Sequence, residues 1–224
     1  MSASSSPPKL NAVMPSATAL AVNLEFGRLA TDSQVARAVA ALEFRGFDVI
    51  VAPTSSAARE AVLRLLPEKA EVFTSTSRTL ESLGLPAEIE GSGRYNPIRP
   101  HLLQLRKEGK FSEMRKLGAA PDFVVGSVHA ITEAGEVLVA SGSGSQLAPY
   151  VYGAGKVIWV VGTQKIVSDQ ETALRRIGEY SFPLEDARAR EAYGMGSSVS
   201  KVLLFNRDAP GRTTIVLVRE NLGF

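Results

Sequence analysis

The chain predicts an α/β protein: a three-layer sandwich around a mostly parallel sheet, with an antiparallel strand pair near the carboxyl terminus. Three observations carry this. Short runs such as FDVIVA (47–52), FVVGSV (123–128) and VIWVV (157–161) are mostly apolar, with Asp48 and Ser127 the only polar side chains, rather than alternating, as strands covered on both faces are. Helical stripes with a 3.6-residue period lie between the first of these runs. The joints between them are short, and strand–helix alternation with short joints is the mark of parallel βαβ units, whose crossovers are right-handed.

Taken in order, residues 1–20 are rich in Ser, Ala and Pro and read as a disordered tail before a single domain spanning 21–224. Thr31 and Gln34 have capping-box spacing, and Val35, Ala38, Val39 and Leu42 form the apolar stripe of a helix ended by Gly46. The FDVIVA strand follows. Thr54 to Leu66 carries a second stripe through Ala58, Val62, Leu65 and Leu66, and Pro67 stops it. Glu71–Ser75 is the next strand, and Ser77 or Thr79 caps a short helix ending near Gly84. Residues 90–120 interrupt the alternation as a helical and loop insertion covering the sheet, with Asn96-Pro97 starting one of its helices.

Strands resume at 123–128, 137–140 and 157–161. Ser168 and Glu171 again have capping-box spacing, ahead of a helix presenting Ala173, Leu174 and Ile177. A charged, Ala-rich helix covers 184–193. Two strands, 202–205 and 213–218, flank the turn signal Asp208-Ala209-Pro210-Gly211, and a short connection favours antiparallel pairing between them.

Composition excludes several function classes. A formal charge of +2 with no block of like charges argues against nucleic acid as a partner. With no cysteine, the chain holds neither a disulfide nor a thiolate-bound iron–sulfur or zinc centre. Two histidines without carboxylates at ligand spacing give no metal site, and no cofactor is expected. The longest apolar run is far too short to span a bilayer, and the amino-terminal residues lack the pattern of a signal peptide. A cytoplasmic protein is expected.

The candidate chemistry gathers between residues 129 and 165. The loop Ser141-Gly142-Ser143-Gly144-Ser145, followed by Gln146, ends a strand and enters a helix-like segment. Glycine lets the backbone approach closely and free N–H groups favour an anion, although the loop lacks the lysine of a P-loop and the three-glycine dinucleotide pattern. Glu133 is a candidate general base or nucleophile, set against a plain capping role. His129, at the end of a strand, and Lys165, just after one, are placed where ligand clefts open in α/β sheets. Arg94, Arg99, Lys201 and Arg212 are individually undistinguished anion clamps. No Ser–His–Asp arrangement is selected. The expected ligand is a small anion (a carboxylate, a phosphate or a CoA-type molecule), and Tyr150, Val151 and Tyr152 are candidate homodimer contacts.

Several segments resemble the lactate-utilisation (LUD) domain family: ITEAGEVLVASGSGS, KVIWVVGTQKIVSDQETALRRI, Ser77-Arg78-Thr79-Leu80 with Gly84 beyond it, and the carboxyl-terminal GMGSSVSKVLLFNRDAPGRTTIVLVRENLGF. The resemblance covers about 31–224. It implies a fold like the ribose-phosphate isomerase and CoA-transferase group. It also implies a part in bacterial oxidation of L-lactate to pyruvate, as the cluster-free member of a set whose companions carry iron–sulfur clusters. The alternative from another class is a free-standing enzyme or a binding module for a sugar phosphate or CoA thioester.

Overall fold

Apolar residues recurring on one side of helices, and continuous apolar strands between them, assemble into two stacked sheets with helices outside. The computed structural model describes residues 20–224; the expected tail at 1–20 lies outside those residues but for Leu20. The chain runs α1 (Asp32–Phe44), β1 (Asp48–Ala52), α2 (Ser55–Leu65), β2 (Glu71–Thr74), α3 (Arg78–Ser82), α4 (Leu85–Gly91) and β3 (Asn96–Pro97). It continues through α5 (Arg99–Lys107), α6 (Phe111–Ala119), β4 (Phe123–Gly126), β5 (Ala130–Thr132), β6 (Val137–Ser141), a π-helical turn (Pro149–Gly153) and β7 (Lys156–Gly162). A 3-10 turn (Thr163–Lys165), β8 (Ile166–Val167), α7 (Gln170–Arg176), a second π turn (Ile177–Ser181), α8 (Phe182–Tyr193), β9 (Lys201–Phe205) and β10 (Thr213–Val218) complete it.

The larger sheet is parallel throughout, in the order β1-β10-β7-β4-β2-β3. Strand alternation sends Val157, Trp159, Val161, Ile215 and Leu217 to one face, and Ile158, Val160, Val216 and Val218 to the other. The second face takes Ala58, Ala61 and Val62 of α2, Leu80 of α3, and Leu85 and Ile89 of α4. The first face takes the mixed sheet β8-β5-β6-β9 through Ile131, Val137, Val139 and Phe205, with Leu42 of α1. On the outside of that second sheet, Ala173 and Ile177 cover Ala130, Leu138 and Ala140. Each such fully buried aliphatic side chain contributes about 1.5–3 kcal/mol relative to an exposed one. The α/β class and the mostly parallel sheet are therefore as the sequence predicts.

Local rules account for the hits and for the departures. At α1 the capping box forms in both directions, with Thr31 accepting from the Gln34 N–H and Gln34 accepting from the Thr31 N–H. At α7 the cap is Asp169, which accepts from the Thr172 N–H, and not the Ser168–Glu171 pair. Leu174 on that helix faces solvent. Asn96-Pro97 does not start a helix. It pairs with β2 as an edge strand, where the proline needs no donor on its outer side. The two carboxyl-terminal strands do not pair with each other. β10 is buried along its length and inserts between β1 and β7, whereas the half-exposed β9 runs antiparallel to β6 in the second sheet. A strand buried on both faces fits a central parallel position, and one left partly in solvent fits an edge.

The first π turn meets α6 at very close range. A Cβ on Gly153 would fall 1.7 Å from the Ala119 carbonyl oxygen and 2.7 Å from its carbon, both backbone atoms that no rotamer change can move. Gly153→Ala is expected to cost about 1–3 kcal/mol by overpacking, seen as a lower urea midpoint. Gly178→Ala, on the second π turn with nothing within 4 Å of the new Cβ, is the control and should move the midpoint far less. Equal midpoints for the two variants would contradict the close contact.

Candidate functional site

Parallel strands place all their carboxyl ends along one edge, and there this protein buries a cluster of basic and hydroxyl side chains. β2 leads into Ser75, β4 into Ser127-Val128-His129, and β7 into Thr163-Gln164-Lys165; their register keeps these exits adjacent. Lys165 is 1% exposed. Its Nζ lies 3.0 Å from Thr79 Oγ1, 3.1 Å from Ser127 Oγ and 3.1 Å from the Val128 carbonyl oxygen. Burial, with the nearby Arg176 second, drives its pKa well below the ordinary lysine value.

Arg176, at the end of α7, is fully buried. It donates to the carbonyls of Gln164 and His129 and to Ser181 Oγ, all neutral oxygens, its Cζ lies 5.0 Å from the Tyr180 ring centroid, and its Nη2 has no hydrogen-bond partner. Desolvation pulls it down to about 10, which leaves it charged at neutral pH. His129 accepts the Ala140 N–H on Nδ1 at 3.0 Å, and burial followed by the Lys165 and Arg176 charges brings it down to about 3. It is a neutral imidazole with its proton on Nε2. Gln164 donates through Nε2 to the Leu222 carbonyl (2.9 Å) and the Gly223 carbonyl (3.3 Å), which leaves its buried Oε1 without a donor.

Of the candidates read from the sequence, the fold brings His129 and Lys165 together and separates Glu133 from both. Glu133 sits at the turn of the β5–β6 hairpin, where Arg37 Nε (2.6 Å) and Gln34 Nε2 (3.0 Å) of α1 donate to it. Those hydrogen bonds hold its carboxyl below the usual range and tie α1 to the hairpin. Ser141 lies at the opposite end of β6, roughly 15 Å away at about 3.4 Å per strand residue. Glu133 therefore does not flank the Ser/Gly loop.

That loop closes on itself. Ser141 Oγ accepts the Gly144 N–H and donates to Gln146 Oε1, and Ser143 Oγ accepts the Ser145 N–H. Gly142 packs against Ser198, and Gly144 against the Lys201 stem. The segment after it is the short π turn, so no long helix points its amino terminus at the loop. The turn also splits the expected dimer contacts: Tyr150 turns inward onto Trp159, while Val151 and Tyr152 face solvent. Arg212 is spent on the Tyr150 and Pro149 carbonyls and Asp208.

Sequence reading missed Thr79, Ser127, Gln164 and Arg176. For Arg176 a signal existed: three residues after Ala173 and four before Tyr180, it occupies an apolar-stripe position of its helix. Among the described residues, no helix is long and apolar enough to cross a membrane.

Comparison with known proteins agrees with this architecture. The family model described as the LUD domain matches residues 35–218. No curated protein matches the chain. A crystal structure of a DUF162 family protein from Deinococcus radiodurans superposes with a TM-score of 0.55 at 12% identity, covering 85% of this chain and 99% of that one, a likeness of fold alone. The match spans both sheets and every strand that carries the buried cluster, and on it the chain belongs to the LUD-domain family.

Proposed function

We propose that this protein is the cluster-free component of a bacterial system oxidising L-lactate to pyruvate, and that it binds a small carboxylate at the carboxyl edge of its parallel sheet. Family membership supports the lactate association. The absence of cysteine means that any iron–sulfur cluster of such a system resides in partner chains. The observation that carries the ligand class is Arg176: a buried guanidinium with only neutral oxygens as hydrogen-bond acceptors, the Tyr180 ring against it, no carboxylate beside it and one nitrogen unpaired. A buried cation without a counter-charge is costly, and a planar carboxylate is the anion its fork geometry fits.

The Ser141–Gln146 loop adjoins the cluster through the Ala140–His129 hydrogen bond and serves in this reading as its rim. Thermal shift with lactate, pyruvate, inorganic phosphate and CoA tests the assignment, because a ligand that binds the native state raises its melting temperature. Lactate or pyruvate should give a saturable rise. Arg176→Lys, which removes the fork, should weaken binding by roughly ten- to a hundredfold, the equivalent of a charged hydrogen bond worth about 1.5–3 kcal/mol. A rise with phosphate or CoA only would move the site to the Ser/Gly loop and favour the sugar-phosphate or thioester reading. Undiminished growth on lactate after deletion of the gene would remove the lactate role.

A further inference from the structure

Two sheets have four edges, and three of them carry a feature that discourages pairing with another chain. β3 and β8 are two residues long, the first with Pro97, and β9 opens on Lys201. β1 is different. It runs five residues, DVIVA, in unbroken register with β10, without proline or lysine and with its one charge, Asp48, at the start. Val51 is 40% exposed on it.

Only half of the β1 backbone is used. The Ala52 carbonyl accepts the Arg219 N–H, so Ala52 turns its polar groups to β10, and strand alternation gives Asp48 and Ile50 the same side. Val49 and Val51 therefore direct their N–H and C=O groups outward. Among the described residues those groups meet no hydrogen-bond partner.

We infer that β1 pairs with β1 of a second copy, antiparallel about a twofold axis at Ile50, joining two six-stranded sheets into one of twelve strands. The groups to be matched fix the register. Centred on Ile50, Val49 faces Val51 of the second copy, and each such pair exchanges both its hydrogen bonds, so every outward N–H and C=O is satisfied. Ile50 then opposes its own mate as the closer, non-hydrogen-bonded pair. A slip of one residue would set outward groups against inward ones.

The covering helix fits the same occupant. α2 packs over β1 and β10 alike. With strands about 4.8 Å apart, α2 and its twofold mate lie roughly 10 Å from each other, an ordinary helix-packing distance. Arg59 reaches Glu88 of α4 on one flank of α2, and the helical turn carries Glu60 and Arg64 round towards the β1 edge. On antiparallel mates the Glu60 of each copy approaches the Arg64 of the other, so this flank is complementary to itself. That match singles out a second copy over an unrelated strand. The carboxyl edges of the two sheets point to opposite ends of such a dimer, so neither copy covers the other's buried cluster.

Sedimentation equilibrium of the full chain, with hydrogen exchange at the Val49 and Val51 amides, tests the pairing. A reversible dimer with both amides protected is the expected result. Val51→Pro removes an outward N–H that the monomer does not use. It should keep its far-UV circular dichroism and weaken dimerisation by roughly ten- to a hundredfold through the lost strand bonds. The chain has no cysteine, so an introduced one reports the register by itself. Ile50→Cys, facing its own mate, should give a disulfide-linked dimer on mild oxidation, and Val49→Cys, two residues out of line with its mate, should not. The cysteine pair decides the register even where Val51→Pro does not fold. A wild-type chain that stays monomeric at every concentration overturns the inference, and protected amides in that monomer would mean that another segment of the chain covers the edge. A dimer unmoved by Val51→Pro overturns the edge, and cross-linking through Val49→Cys rather than Ile50→Cys overturns the twofold register.

Discussion

Acidification should unfold this protein from its centre. His129 titrates near 6.5 when unfolded and near 3 when folded, because burial and then the Lys165 and Arg176 charges oppose its imidazolium. Between those two values the unfolded chain binds more protons than the native one, so the free energy of unfolding rises with pH and falls on acidification. At 1.36 kcal/mol per pH unit, this group alone removes about 2 kcal/mol between pH 7 and pH 5 and about 4 kcal/mol by pH 3. Carboxylates such as Glu133, Asp169 and Asp186 are held low by hydrogen bonds from Arg37, the Thr172 N–H and Arg190, respectively. Their contribution is present above the ordinary carboxyl range and fades below it; Lys165, whose pKa burial also lowers, loses stability in the same direction as the pH falls, so the histidine's share is the difference between the wild type and a His129 variant. The other histidine, His101, is exposed on α5.

The measurement is urea unfolding at pH 7, 6 and 5. His129→Asn supplies the control, since an amide oxygen near the Nδ1 position keeps an acceptor for the Ala140 N–H and does not titrate. The variant should start less stable and then lose about 2 kcal/mol less than the wild type over the same span. A wild-type midpoint that stays level from pH 7 to pH 5 would show that His129 is protonated in the fold. That would also undo the account of Lys165 and Arg176 as neighbours that repel a further charge.

How far the sequence could be read depended on whether a signal was local. The parallel core was legible because FVVG and VIWVV carry no polar side chain, as strands buried on both faces do. The α1 cap was legible because two residues three positions apart, Thr31 and Gln34, contain its whole chemistry. The pairing of β9 and β10 was not, because a short connection carries no information about the two sheets available to receive each strand. A third of the candidate site was legible: His129 and Lys165 follow strands, and strand ends collect at one edge. Thr79, Ser127, Gln164 and Arg176 join them only through tertiary neighbours. Glu133 attracted attention by residue type, and its distance from the Ser/Gly loop follows from hairpin register, which composition does not reveal.

Trp159→Ala should be the most destabilising single change in the core, by about 3–5 kcal/mol. The indole is fully buried at the middle of β7. Its ring lies 6.1 Å from Phe47, 5.4 Å from Tyr150 and 5.1 Å from Phe205, the last two edge-on, a geometry worth about 0.5–1.5 kcal/mol per pair beyond area. Those three partners come from the α1–β1 joint, the first π turn and β9, so one side chain ties both sheets and the turn together. Removing it leaves a void that backbone on both sides cannot fill, and the urea midpoint should fall by roughly 1–5 M at an m-value of about 1–3 kcal/mol per molar. Trp159→Phe keeps a ring in the same slot and should cost markedly less. β7 continues from Trp159 straight into Gly162 and the Thr163–Lys165 turn, so slackening its middle should also loosen the buried lysine. Amine labelling of Lys165 at neutral pH should accordingly be faster in Trp159→Ala than in Trp159→Phe. Equal midpoints for the two variants would mean that β9 and the π turn are held by other contacts and that the two sheets do not depend on this ring.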